Sequence, residues 1–337
     1  MTLLYLGPAE IEALLPVGEC IEVMDDALRA LARGEAVQPL RSVMWLAGPA
    51  GPAGLAGSAG LLGLMPGQVA GVVGIKVITL IPGNHERGEE THLGAVLLFD
   101  TDLGKPLAYL DAAAITAIRT AAVSAVATRA LARPAAGDLA LLGAGVQART
   151  HLAALRAVRD VRRVRVWSRR PESAQRFAAA ESARHGLPVE AVSSAAAAVA
   201  GADLVCTVTA ARQPVLAGEW LAPGAHVNAV GACTPAAREL DSAAVAGARL
   251  FVDRRESALH ESGDFLLPLR EGVIAEDHIA GELGDVLLGR VAGRRAAAAA
   301  TEITLFKSLG LAVEDLAAAL HVYRRAQAQG RGVRMES

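Results

Sequence analysis

Apolar residues recur along this chain with two different periods. Ile21, Met24, Leu28 and Leu31 stand three or four apart, the spacing of one helix face. Short β-rich runs follow at 40–46, 61–65, 72–80, 95–100 and 106–111. An Ala-rich helix begins near 112, and beyond it strands and helices alternate. Strands are predicted at 138–142, 163–167, 189–192, 203–208, 226–230 and 250–252, with helices from 146 and over 171–185. That alternation predicts an α/β fold, a doubly wound parallel sheet covered by helices on both faces. The last stretch, 305 to about 326, reads as helix and is expected to rejoin the first segment. The domains predicted are 1–122 together with 304–337, a discontinuous α+β unit, and 123–303 between them.

Composition narrows the setting. A chain of 337 residues is long enough for two cores. Apolar residues make up 53%, but the apolar run after 112 holds Arg119 and Arg129, which mark a packed helix rather than a membrane span. The opening Leu3-Leu4-Tyr5-Leu6-Gly7-Pro8 has no basic region before an apolar core, so no secretory signal is expected. Cys20, Cys206 and Cys233 are odd in number and match no metal spacing, which fits a reducing cytoplasm. A net charge of −2 without basic blocks argues against nucleic acid or a membrane as partner. Gly recurs at every third place from Gly48 to Gly60, a span too short for a triple helix, and a hairpin loop is expected.

The run Leu139-Ala140-Leu141-Leu142-Gly143-Ala144-Gly145-Val146-Gln147-Ala148 combines strand, Gly-rich turn and helix. The first Gly permits the turn, the second lets a phosphate approach the backbone, and Ala148 allows close helix–strand packing. A helix N-terminus offers N–H groups and partial positive charge to a pyrophosphate. In this context the motif predicts a Rossmann-type dinucleotide site. The second strand ends Trp167-Ser168-Arg169-Arg170, without the acid that would hold a ribose 2′-hydroxyl. A hydroxyl and two guanidinium groups match a 2′-phosphate. NADPH is therefore the expected cofactor, with NADH the alternative.

Of 33 basic residues only Lys76, Lys105 and Lys307 are lysines. Lys76 interrupts the apolar run Gly74-Ile75-Lys76-Val77-Ile78, where an edge-strand charge is the ordinary explanation. Arg119 interrupts an Ala-rich helix, and Arg41 stands near the start of the first predicted strand. A buried cation needs an anionic partner. Two partners are open: an internal carboxylate, making a salt bridge, or a carboxylate brought by a substrate. Neutralisation of Arg41, Lys76 and Arg119 by the protein's own acids would end the second.

Several runs resemble the ornithine cyclodeaminase and mu-crystallin family. They are the Gly143 turn, Arg119-Thr120-Ala121-Ala122-Val123-Ser124-Ala125, Pro223-Gly224-Ala225-His226-Val227-Asn228-Ala229-Val230-Gly231, Glu261-Ser262-Gly263-Asp264 and Phe306-Lys307-Ser308-Leu309-Gly310. The resemblance implies a homodimer with a central dinucleotide-binding domain, the other domain carrying the dimer interface and helping to form an interdomain active site. It implies that Arg41, Lys76 and Arg119 hold a substrate carboxylate, Lys76 also being catalytic. Cofactor contacts implied are Thr120; Gly143, Ala144, Gly145, Val146 and Gln147; Ser168, Arg169 and Arg170; Thr207, Val208 and Thr209; Val230; and Lys307, Ser308 and Leu309.

Departures from the family pattern refine this. Cyclodeaminases and alanine dehydrogenases of the family carry an acid soon after Asn-Ala-Val-Gly, where this chain has Cys233, and cyclodeaminases carry a Glu before Met65-Pro66, where it has none. The chain resembles the ketimine reductase branch at both places. The implied reaction is NADPH-dependent reduction of a small cyclic imino acid, Δ1-pyrroline-2-carboxylate or Δ1-piperideine-2-carboxylate, to proline or pipecolate, with no metal. Rivals are an ornithine cyclodeaminase, an amino-acid dehydrogenase, an opine-type synthase, and a non-catalytic crystallin-like binding protein. Cys233 is read as pocket-wall filler, since imine reduction needs no thiolate. His92 and His226 are read as packed strand histidines.

Overall fold

The computed structural model describes residues 2–47, 58–81, 84, 91–298 and 300–336. Most of the Gly-rich segment lies outside the described residues. Fifteen strands are found among them. Six precede the long helix Ala112–Leu131: β1 (Thr2–Leu6), β2 (Ser42–Ala47), β3 (Ser58–Val69), β4 (Val72–Leu80), β5 (His92–Asp100) and β6 (Pro106–Asp111). Then come β7 (Asp138–Leu142), β8 (Arg163–Trp167), β9 (Val189–Ala191), β10 (Leu204–Thr207), β11 (His226–Ala229), β12 (Arg249–Val252), β13 (Ile279–Glu282), β14 (Thr304–Lys307) and β15 (Val333–Glu336). The chain divides into two compact units, 1–119 with 311–337, and 120–310.

The first unit is a seven-stranded sheet in the order β15-β1-β6-β5-β4-β3-β2. Its neighbours are antiparallel except for β1 and β6. Helix Ala312–Gln329 lies across β3, β4 and β5, and helix Val17–Ala32 packs on that helix. The pleat turns alternate residues toward it: Leu61, Met65 and Val69 are buried, whereas Leu62, Leu64 and Pro66 on the other face are only partly covered. Glycine makes the close approach possible. A Cβ on Gly74 would stand 2.4 Å from Leu97 O and 2.7 Å from Leu316 Cδ2.

The second unit is an eight-stranded sheet, β13-β12-β14-β11-β10-β7-β8-β9, parallel at every pairing. Leu139 and Leu141 of β7 enter one core with Val164, Val166 and the helix residues Leu152 and Phe177. Ala140 and Leu142 enter the other with Val205, Val227 and Leu305. Burial on both faces is why these strands read as continuous apolar runs. From β7 the chain winds outward through β8 to β9, then returns to β10 on the opposite side of β7. The order therefore reverses between β7 and β10.

Four expectations need correction. Residues from 305 do not begin a helix: Thr304–Lys307 is β14, inserted between β11 and β12, and the helix starts at Ala312. For that reason the C-terminal boundary falls at 311, not 304. The other boundary falls between 119 and 120, within helix Ala112–Leu131, rather than after 122. β4 is an interior strand between β3 and β5, so Lys76 is no edge charge. The short strands β1, β13 and β15 were not predicted. Helix Ala112–Leu131 is long and apolar enough to cross a membrane by length and composition, yet 67% of its most apolar window is buried inside the protein.

Candidate active site

Lys76 occupies the middle of β4, on the face toward helix Ala312–Gln329, and is 2% exposed. Its Cα neighbours across the sheet are Met65 and Val96. The ammonium meets Asp315, with Nζ 3.0 Å from Oδ1 and 3.1 Å from Oδ2. Arg119, 4% exposed, donates from Nε to the same Oδ1 at 2.7 Å and from Nη1 to Glu314 Oε2 at 2.9 Å. Glu314 also accepts from Leu311 N at 3.1 Å, so the two acids occupy the first turn of the helix, where its dipole favours them. Gln38 closes the group: its Oε1 accepts from Val313 N at 3.0 Å, bringing the segment before Arg41 to this helix end.

Charge balance follows from these contacts. Burial lowers the Lys76 pKa, Asp315 opposes that, and Arg119 and Arg41 lower it again, leaving it at about 8. Arg41 is thus near enough to act on the lysine electrostatically, and it is partly exposed. The sequence left an internal salt bridge and a substrate carboxylate open as partners, and for Lys76 and Arg119 the internal bridge is the one formed. The pair is not two bare charges awaiting a ligand. Asp315 nevertheless takes at most two of the three N–H groups of Lys76. No signal in the sequence marked Glu314 and Asp315, because a helix expected from 305 placed them in its interior rather than in its first turn.

In the second unit most of the expected nucleotide residues lie at the C-terminal ends of β7, β8, β10 and β11, Lys307–Leu309 lie at the end of β14, and Thr120 is on helix Ala112–Leu131. In doubly wound sheets, ligands bind at such ends where the strand order reverses. Gly143 has φ 119°, and a Cβ there would stand 2.7 Å from Val208 O, so glycine is required. Gly145 precedes helix Val146–Val158, which has no side-chain cap, and space opens where its Cβ would be. Ala144 and Gln147 are partly buried and Val146 is exposed. Ser168 is partly buried, while Arg169 and Arg170 are exposed before helix Pro171–His185. Thr120 Oγ1 and Ser308 Oγ are buried and bond to none of the described residues. Uncapped N–H groups, a backbone open to approach and two unused buried hydroxyls fit a polyphosphate nucleotide.

Three expected contacts turn inward instead. Thr207 is fully buried and its hydroxyl donates to Glu239 Oε2 at 2.8 Å. Thr209 donates to Glu239 Oε1 from its hydroxyl at 2.6 Å and its N–H at 2.7 Å. Lys307 is 1% exposed, with Nζ 3.1 Å from Asp264 Oδ2 and 3.3 Å from Ala229 O. Burial pulls the Lys307 pKa down, but Asp264, Cys233 and Glu239 outweigh it and the value is raised. Leu309 N donates to Asp253 Oδ2 at 2.6 Å, and Val230 N donates to Thr207 O at 3.0 Å. Glu239, at the centre of this group, was missed from sequence because it lies on an irregular segment after β11.

The remaining candidates are structural. His226 is fully buried, its Nδ1 3.0 Å from Thr304 Oγ1, and burial with Arg294 pushes its pKa down to about 3. The His92 side chain lies outside what is described. Cys233, partly buried, donates its thiol to Val230 O at 3.4 Å. Among the described residues no cluster of metal ligands is found.

Comparison with known proteins decides the family. The model of the ornithine cyclodeaminase/mu-crystallin family matches residues 5–330. This chain belongs to that family. A relative named Delta(1)-pyrroline-2-carboxylate reductase, from Bacillus cereus, is 36% identical over 337 residues, covering 99% of this chain and 100% of its own. The ketimine reductase mu-crystallin of Rattus norvegicus is 42% identical over 248 residues, 74% of each chain. Among solved structures, the Thermococcus litoralis Delta(1)-pyrroline-2-carboxylate reductase in complex with NADH and L-proline superimposes with a TM-score of 0.92. It is 38% identical, and the match covers 98% of this chain and 99% of that one. The α/β architecture of the family, with its parallel dinucleotide-binding sheet, is the one found here.

Proposed function

We propose that this protein reduces the C=N bond of cyclic imino acids bearing a 2-carboxylate, Δ1-pyrroline-2-carboxylate and Δ1-piperideine-2-carboxylate, with NADPH as reductant. The observation that carries the reading is the gathering of cations from β4, helix Ala112–Leu131 and the Arg41 segment about one acid pair. The names of the relatives support it. Bound in the second unit, the dinucleotide supplies the hydride. Residues 143–147, Ser168–Arg170, Thr120 and Ser308 would hold it, and the backbone of 207–209, Val230 and 307–309 would face its other half. Arg169 and Arg170, with no acid beside them, favour a 2′-phosphate over a bare ribose.

For the chain's own residues the roles separate. Arg41, Lys76 and Arg119 together hold the substrate carboxylate, Lys76 and Arg119 doing so while also paired with Glu314 and Asp315. The N–H that Asp315 leaves on Lys76 lies toward the substrate, and Lys76 holds the proton that the ring nitrogen needs as its carbon accepts hydride. Glu314 and Asp315 fix the direction of both cations. Cys233, standing where a cyclodeaminase would carry an acid, favours plain reduction over ornithine cyclisation. We infer also that the protein self-associates as a homodimer through the outer face of the first unit's sheet.

The test is NADPH oxidation by the purified protein with each imine. Oxidation with either supports the proposal; no turnover with both, alongside release of ammonia from ornithine, overturns it. Arg119→Ala is a poor probe, since it removes a buried partner from both Glu314 and Asp315, and breaking a buried pair costs about 3–5 kcal/mol of stability. Arg41→Ala is the better one. Loss of a charged hydrogen bond, about 1.5–3 kcal/mol, should raise KM for the imine roughly ten- to hundredfold and leave KM for NADPH within twofold. An unchanged imine KM would remove Arg41 from the site.

A further inference from the structure

Glu239 is fully buried, yet it packs against polar groups. Its carboxylate accepts four hydrogen bonds, from Thr207 Oγ1 at 2.8 Å, Thr209 Oγ1 at 2.6 Å, Thr209 N at 2.7 Å and Gly231 N at 2.7 Å. Four is the capacity of a carboxylate. Its own N–H, with that of Leu240, donates to Asp264 Oδ1 at 2.8 and 3.1 Å. Asp264 Oδ2 meets Lys307 Nζ at 3.1 Å, and Lys307 reaches Ala229 O at 3.3 Å. One polar chain thus ties together the C-terminal ends of β10, β11 and β14, adjacent strands of the second unit.

Those three ends share one side of the strand reversal, opposite β8. A dinucleotide on such a sheet spans both sides. The β8 side, with Ser168, Arg169 and Arg170, takes the adenosine ribose, so the side Glu239 organises takes the nicotinamide. An apolar side chain would fill this space without burying a charge. What the carboxylate adds is direction: it fixes the backbone N–H groups of Thr209 and Gly231 and both threonine hydroxyls.

We infer that Glu239, braced by Asp264 and Lys307, is a positioning residue that holds the backbone facing the nicotinamide half of the bound dinucleotide. This rests on the dinucleotide site proposed above. Glu239→Gln keeps the shape but turns an NH2 group toward donors that need an acceptor. Displacing a reacting ring by about 1 Å can lower a rate on the order of a hundredfold.

The experiment measures two dissociation constants. One is for NADPH, or NADH if the wild-type protein binds it more tightly. The other is for its adenosine half alone, adenosine 2′,5′-bisphosphate or AMP. In folded Glu239→Gln the dinucleotide should bind at least tenfold more weakly, while the adenosine half stays within twofold of wild type. Where the imine is turned over, kcat should fall at least tenfold as well. Equal weakening of both ligands would show a structural role only, and unchanged dinucleotide binding would likewise overturn the proposal. Thr207→Val serves if Glu239→Gln does not fold. Its hydroxyl is fully buried and reaches Glu239, so a threefold effect on the dinucleotide alone is expected, and no effect overturns the inference. A wild-type protein that binds neither dinucleotide would instead refute the cofactor reading. Binding of dinucleotide without imine turnover would refute only the substrate reading.

Discussion

Lys76 has a pKa set by competition among its neighbours. Burial, Arg119 and Arg41 favour the neutral amine, and Asp315 favours the ammonium, with about 8 as the outcome. If Lys76 holds the proton delivered to the ring nitrogen, kcat/KM should be highest below pH 8 and fall as pH rises through it, because the ammonium is lost in that direction. Asp315→Asn removes the bonded carboxylate that favours the ammonium, so the descending limb should move to lower pH. Titration of the imine is common to both proteins, and the difference between their profiles therefore isolates Lys76. Coincident midpoints in folded protein would deny Lys76 this role. The sequence could mark Lys76 and Arg119 as cations in need of partners, since a charge in an apolar run is visible locally. It could not identify the partner, because Asp315 lies 239 residues from Lys76 and is placed by the fold. Glu239 was illegible for the same reason: Thr207 lies 32 residues before it, on another strand.

The final helix of the first unit determines whether these groups meet. Helix Ala312–Gln329 presents Glu314 and Asp315 from its first turn and lies close on β4 because Gly74 has no side chain. Gly74→Ala would place a methyl group against Leu97 O and Leu316, with a backbone atom as one neighbour that cannot step aside. Overpacking of this kind costs about 1–3 kcal/mol. A lower urea midpoint with an unchanged m-value is the expected result, together with a loss of activity as β4 carries Lys76 away from Asp315. Equal stability would mean that the helix and sheet tolerate separation. Element periods were legible where they were long or bounded by turns, so the ranges predicted for β4, β6, β7, β8 and helix Pro171–His185 match those found. β14 was not: four residues, two of them apolar, next to an Ala-rich helix carry no period of their own. What makes it a strand is a slot between β11 and β12, a tertiary fact.

At the scale of the whole molecule, the first unit's sheet is apolar on both faces. The face away from the helices carries Tyr5, Leu64, Ile75, Val77, Leu97 and Tyr109, which pair across strands as Leu64 with Val77, Ile75 with Leu97, and Tyr109 with both Leu97 and Tyr5. Val73 and Tyr5 there are 40% and 38% exposed. An antiparallel sheet with a solvated face alternates apolar with polar residues, and this face does not. Isolated monomers rarely expose apolar patches beyond a few hundred Å². A second copy of the same sheet is the partner such a surface suits best, since two-fold symmetry lets one apolar face bury itself against its equal. The protein should sediment at twice its chain mass of 34.6 kDa. Leu97→Glu would set a carboxylate between Ile75 and Tyr109 and, in the dimer, bury it in an apolar layer. Burying unpaired charge there costs several kcal/mol, so the variant should sediment as a monomer while retaining its folded spectrum. A wild-type protein that is monomeric at micromolar concentration would leave this face solvated and refute the dimer.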